Sequence, residues 1–247
     1  MLRQVVIALG MLAASASRPA AADPGPAPIR TLVYSVQVSE TRRNEEHTSG
    51  FRSGGRGATT MGSARVDRQS SVSDEGTLTV NVIAATADGG LAVDAAFAGK
   101  NSNQPALRIA IFPNGRLAYD PHAELSIATL RVLPLLARGL TAERDVSPGV
   151  TWSTAVPNAA SGTVAYRVDH VEGERATLAI QPHAVLPGPT GYVEDDVATA
   201  LYATDRLCPI SYHLDAQSHH QPGMDQYVTV SDRLHAQLVS DTFEKKR

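Results

Sequence analysis

Residues 211–223 read Ser-Tyr-His-Leu-Asp-Ala-Gln-Ser-His-His-Gln-Pro-Gly and gather more side chains capable of chemistry than any other stretch of the chain. Ser211, His213 and Asp215 fall at every second position, and the pair His219-His220 follows. Two chemistries use these residue types. A hydrolytic triad needs a nucleophile, an imidazole with both nitrogens engaged, and donors that receive an oxyanion. A divalent metal needs imidazoles and carboxylates converging on one point. In a strand, alternate residues share a face with Cα atoms about 6.5–7 Å apart, so these three residues form a row. No Gly-x-Ser-x-Gly elbow or glycine-rich donor loop adjoins Ser211. The in/out alternation of a half-buried strand explains the row without chemistry.

The metal reading depends on a hairpin. If Pro222-Gly223 occupies the centre of a four-residue turn, His220 faces Asp225 and His213 faces Asp232. Cross-strand His–Asp pairs of that kind could hold a divalent ion with a third ligand, as a metal-dependent hydrolase would. Neither a His-Glu-x-x-His helix motif nor a Cys/His zinc spacing accompanies them, and Glu194-Asp195-Asp196 lacks the spacing of a calcium loop. A register slip of one residue would dissolve both pairs. No cofactor is expected. Cys208 is the only cysteine, which excludes an intrachain disulfide, and its neighbours Leu207 and Pro209 suit a buried structural thiol.

The elements that must position these residues read mostly as strands. Leu32–Val38 alternates, as do Leu78, Val80 and Val82, with turn residues between such stretches. Arg42–Gly57 (RRNEEHTSGFRSGGRG) is hydrophilic and predicts a flexible hairpin loop, and Asp74-Glu75-Gly76 predicts a turn. Pro113-Asn114-Gly115-Arg116 is the strongest hairpin signal in the sequence. Asp120-Pro121 has the form of a helix start, and the spacing of Leu125, Ala128 and Val132 predicts one main helix near 121–133, ended by Pro134. With strand groups before and after it, the expected fold is mainly β: a large curled antiparallel sheet of about ten to twelve strands, as a half-barrel or two layers, with a β-sandwich as the alternative.

The first 22 residues (MLRQVVIALGMLAASASRPAAA) combine a basic start, a short apolar run and small residues, and are expected to be a cleaved export signal. A Pro-rich leader over 23–30 and a single β-rich domain over 31–247 would follow. No apolar run approaches the roughly 20 residues of a membrane-spanning helix. Loss of Arg3 and Arg18 with the signal would take the basic count from 22 to 20 against 25 acidic residues, an unsuitable balance for a nucleic-acid partner. The expected location is periplasmic or extracellular.

From Phe112 to Trp152 the order is Phe-Pro-Asn-Gly-Arg-Leu, a helix, Leu133-Pro134, a polar loop, and Pro148-Gly149-Val150-Thr151-Trp152. This stretch resembles uncharacterised secreted bacterial β-rich proteins that are similar in architecture to periplasmic lipoprotein carriers. The resemblance implies a strongly curved sheet half-wrapped around a helix or an apolar ligand, and it transfers no catalytic residue. It makes Leu130, Leu133 and Trp152 the residues to examine for contact with a hydrophobic small molecule or lipid. The sequence thus predicts an exported, soluble, non-catalytic binding or carrier module. The alternatives are the metal-dependent hydrolase of the 213–232 hairpin and a structural envelope protein that pairs through sheet edges.

Overall fold

Leu32, Tyr34 and Val36 are fully buried while Ser35 and Gln37 face solvent, so the two-residue period of the sequence becomes the two faces of a strand. The computed structural model describes residues 27–54, 58–142, 144–155, 161–186, 192–223 and 226–243. Eleven strands form one antiparallel sheet. They are β1 (Arg30–Gly54), β2 (Ala58–Ala85), β3 (Leu91–Gly99), β4 (Asn103–Ile111), β5 (Leu117–Ala118), β6 (Thr151–Ala155), β7 (Ser161–Glu172), β8 (Arg175–Leu186), β9 (Tyr192–Ala203), β10 (Cys208–Gly223) and β11 (Gln226–Asp241). Their spatial order is β5-β4-β3-β2-β1-β11-β10-β9-β8-β7-β6.

From β1 at mid-sheet the strands meander to the β5 edge, the chain crosses to the β6 edge, and the remaining strands meander back until β11 pairs with β1. The edge strands do not pair with each other, so the curled sheet stays open. One sheet replaces the two that a β-sandwich requires. Pro105 of β4 falls in the register irregularity opposite Ala95 and Phe97 of β3, where it has no amide to offer the ladder.

The crossing segment fills the concave face. Its α-helix, α1 (Ile127–Val132), is shorter than the expected 121–133. Asp120 accepts the His122 amide at 2.9 Å within a turn, and the Ser126 hydroxyl receives the Thr129 amide at 3.1 Å as the true cap. Leu133–Leu136 continues as a 3-10 turn with Pro134 in its first turn, and Arg138–Leu140 forms another. Ala128, Val132, Leu133, Leu136 and Leu140 of this plug are buried against the inward row of the sheet. Buried Gln104 of β4 ties plug to sheet. It donates to the Ala95 carbonyl (3.1 Å) and accepts from the Ser126 amide (2.7 Å) and the Thr129 hydroxyl (2.9 Å).

Two expected loops are strand. Arg42–Gly54 and Ala58–Ser71 continue the β1–β2 hairpin, with residues 55–57 outside the described set. The polar composition is accommodated by cross-strand ion pairs, Arg43–Asp67 and Arg65–Glu45, each at 2.6 Å. Asp74-Glu75-Gly76 lies within β2 because the β3–β4 turn wraps the Asp74 carboxylate: the Glu75 and Asn101 amides and the Ser102 hydroxyl all donate to it. The approach leaves no room for a Cβ at Gly99. The Asn-Gly hairpin forms as expected, with Gly115 at φ 85°.

Near the seam of β1 and β11, Arg30 grips Asp241 with two bonds of 2.9 Å, and also reaches the Arg206 carbonyl and the Cys208 sulfur. Burial alone would raise the Asp241 carboxyl; the Arg30 guanidinium, the Phe243 amide and Arg206 outweigh it and hold it below the usual carboxylate value. The Ser102 hydroxyl and the turn amides likewise hold Asp74 low. Cys208 is fully buried, which pushes its thiol up against the opposing pull of Arg30.

Asp241→Ala strands Arg30, so denaturant titration is expected to show a loss of about 3 kcal/mol. A folded-state pKa below the unfolded value of about 3.9 contributes stability above that pH, lost as the pH falls through the folded value. The melting temperature should therefore hold from neutrality to about pH 5 and drop below about pH 4, with a shallower acid limb in Asp241→Asn. Gln104→Met takes their Gln104 partner from the Ala95 carbonyl, the Ser126 amide and the Thr129 hydroxyl and is expected to cost about 3 kcal/mol in the same titration.

Candidate functional site

The sheet's concave face is unequally filled. Helix α1 packs on β1, β3 and β11, and the following 3-10 turn on β4 and β10. Between this plug and the strands toward β6 lies a cavity of about 200 Å3. Leu130, Arg131, Pro134, Leu135, Ala137, Gly139 and Leu140 form its plug wall, and Thr154, Val164, Tyr166, Ile180, Pro182 and Tyr212 its sheet wall. Its volume falls below the roughly 300–1,000 Å3 of sites for drug-sized ligands, and suits one slender apolar chain.

The three carrier candidates separate into different roles. Leu130 lines the cavity and keeps 39% of its surface exposed, which makes it the apolar side chain at the opening. Leu133 is wholly buried and belongs to the core that holds the plug down. Trp152 stands behind the wall, stacked on Tyr166 with ring centroids 5.2 Å apart and planes 10° from parallel. Arg144 lies 5.4 Å from the tryptophan ring centre on the plug side.

Sequence reasoning missed Tyr166, Tyr212, Ile180 and Arg131. Parity could have found the first: Tyr166 is the register partner of Trp152 and shares its face. Tyr212 sits between Ser211 and His213, on the side of the strand opposite to the polar row that draws attention. Among the described residues Arg131 is the only charged side chain lining the cavity, and its Nη1 lies 3.4 Å from Oδ2 of Asp196. The Asp196 side chain is fully buried on the inward face of β9, so this ion pair pins the mouth of the plug to the sheet.

The 211–223 stretch is a strand, and its register overturns the His–Asp pairing. His213 faces His235 rather than Asp232, and Asp232 faces Ala216. The displacement of three residues is odd, so it also reverses faces: Asp232 lies on the concave side and His213 on the convex side. The physical cause is Pro222, which cannot donate to the ladder and sits in an irregularity between His220 and Gly223, so that Gly223 pairs with Gln226 and the reversal falls beyond Pro222-Gly223. The backbone of His220 faces Val228; Asp225 lies outside the described residues.

Of the triad reading, only a His–Asp contact within one strand forms: Nε2 of His213 lies 3.2 Å from Oδ2 of Asp215, and both side chains are more than half exposed. Among the described residues no hydrogen bond joins Ser211 to His213. Such a row presents no enclosed oxyanion site.

No family model and no curated protein matches the chain. A solved structure described as "Lipid-protein interactions in lipovitellin" is similar over 89% of this chain, at 9% identity and a TM-score of 0.48, and this chain spans 26% of that one.

Proposed function

We propose that this chain is an exported, non-catalytic carrier module that accepts a single acyl chain, or the acyl chain of a lipid-bearing partner, between its plug and the β6–β8 side of the sheet. The observation that carries the reading is the apolar cavity of about 200 Å3 opening beside Leu130. Apolar ligand sites are concave and largely preformed, with few polar groups that set orientation. Here those groups are the Tyr166 and Tyr212 phenols and Arg131 at the mouth. The leader at 1–22 and the Phe112–Trp152 order support export and a carrier role.

Trp152 is the only tryptophan, so its emission reports on the Tyr166 wall without labelling. Titration with a fatty acid should change that emission saturably, and an apolar naphthylamine fluorophore should brighten and then be displaced. Leu130→Glu places a charge at the opening and should weaken binding about tenfold, the equivalent of roughly 1.4 kcal/mol. Its exposure leaves folding intact. Solvent extraction of protein purified from its native host should recover acyl lipid by mass spectrometry. Recovery of none, together with failure of both titrations, would overturn the carrier reading.

A further inference from the structure

The register that dissolves the expected His–Asp pairs builds another pair on the convex face. His213 and His235 stand directly opposite each other on β10 and β11, their rings 6.1 Å apart at the centroids and tilted by 56°. They border a groove of about 490 Å3 that also takes in Gln37, Glu75, Lys100 and Arg233. We propose that His213 and His235 bind one imidazole-preferring divalent cation, of the class of Zn2+, Cu2+ or Ni2+, across the β10–β11 ladder. This site is independent of the cavity on the other face.

Three features carry the proposal. First, spacing: with metal–nitrogen bonds of about 2.0–2.1 Å, two imidazoles on one tetrahedral ion place their centroids roughly 5–6 Å apart. The present separation needs only a small χ adjustment, which an exposed face permits. Second, orientation: the Asp215 carboxylate lies 3.2 Å from His213 Nε2 and is itself held by Arg233 Nε at 3.1 Å. A carboxylate at that distance takes the Nε2 proton after a small turn of the ring, which would leave the Nδ1 lone pair for a metal, and metal-ligating histidines are commonly oriented by such a partner. Third, charge: Arg233 balances Asp215, and Lys100 balances Glu75 at 2.6 Å, so the groove opposes a cation with no unbalanced positive charge among these groups.

Among the described residues no three His, Cys, Asp or Glu side chains converge, so the ion would keep water in its remaining positions. The site is open and its affinity lies below that of a closed four-ligand centre. Its structural effect is to staple β10 to β11.

The test is calorimetric titration of the full, tag-free chain with ZnCl2, then with CuCl2 and NiCl2. One equivalent is expected to bind. His213→Ala and His235→Ala should each abolish that equivalent, and Asp215→Asn should weaken it about tenfold through loss of the orienting partner. His219, on the same face but six residues along β10 and so about 20 Å away, serves as the control: His219→Ala should change nothing. These exposed substitutions leave the core untouched, and circular dichroism confirms folding in each. The proposal is overturned if no equivalent binds, if both His→Ala variants retain it, or if His219→Ala removes it.

Discussion

The pairing of β1 with β11 is the constraint on which the remaining architecture depends. Each half of the sheet is a local meander whose neighbours are joined by short turns. Among the described residues the two halves meet by strand pairing only along this seam, between residues some two hundred positions apart. Closing so long a loop is less costly than its length suggests: loop entropy grows logarithmically, so a tenfold longer loop adds about 2 kcal/mol. The seam recovers that through a long ladder and through Arg30, whose guanidinium joins the first strand to Asp241 of the last and to the Arg206 carbonyl before β10. Parity then fixes the register, because a slip of one residue would drive Leu32, Tyr34 and Val36 out of the core.

An open sheet with one apolar face needs a second layer, and one crossing segment supplies it here. The plug reaches over the sheet because the chain must travel from the β5 edge to the β6 edge, and Gln104 fixes where it lands. Its leucines settle into the buried inward row of the sheet, where Leu133 is completely buried. Toward β6 the inward residues change to Val164, Tyr166 and Pro182, which stand taller and stiffer. Six α-helical residues and two 3-10 turns do not fill that side, and the gap is the cavity.

Periodicity made most of the strands legible, since an alternating row such as Leu78, Val80 and Val82 has one economical burial. The Asn114-Gly115 hairpin was legible because the turn needs positive φ. Illegible features shared a different character: each was a local signal overruled by a distant partner. The polar run from Arg42 reads as loop until Asp67 and Arg65 arrive from β2 to pair with it. Asp74-Glu75-Gly76 reads as a turn until the β3–β4 turn supplies donors to the Asp74 carboxylate. Asp120-Pro121 does cap an amide, but that of a turn, while the helix takes Ser126 because Gln104 holds its amide. In the candidate site, Leu130 was named from the resemblance carried by the Phe112–Trp152 stretch, whereas Tyr166 and Tyr212 needed the sheet's face assignment.

The β10–β11 hairpin shows why the two faces of one strand can follow separate rules. Tyr212, Leu214 and Ala216 point inward and are tied to the core, so any change there alters packing, cavity shape and stability together. His213, Asp215 and Arg233 point outward, where no core depends on their volume, and surface substitutions of this kind usually move stability by less than about 0.5 kcal/mol. A row of histidines and carboxylates on the convex face therefore costs the fold almost nothing to keep or to lose. The same freedom makes that face the place where binding chemistry can arise without disturbing the plug. On the concave face, by contrast, ligand affinity and fold stability draw on the same side chains, and a wider cavity would have to be bought with looser packing of Leu133 and its neighbours.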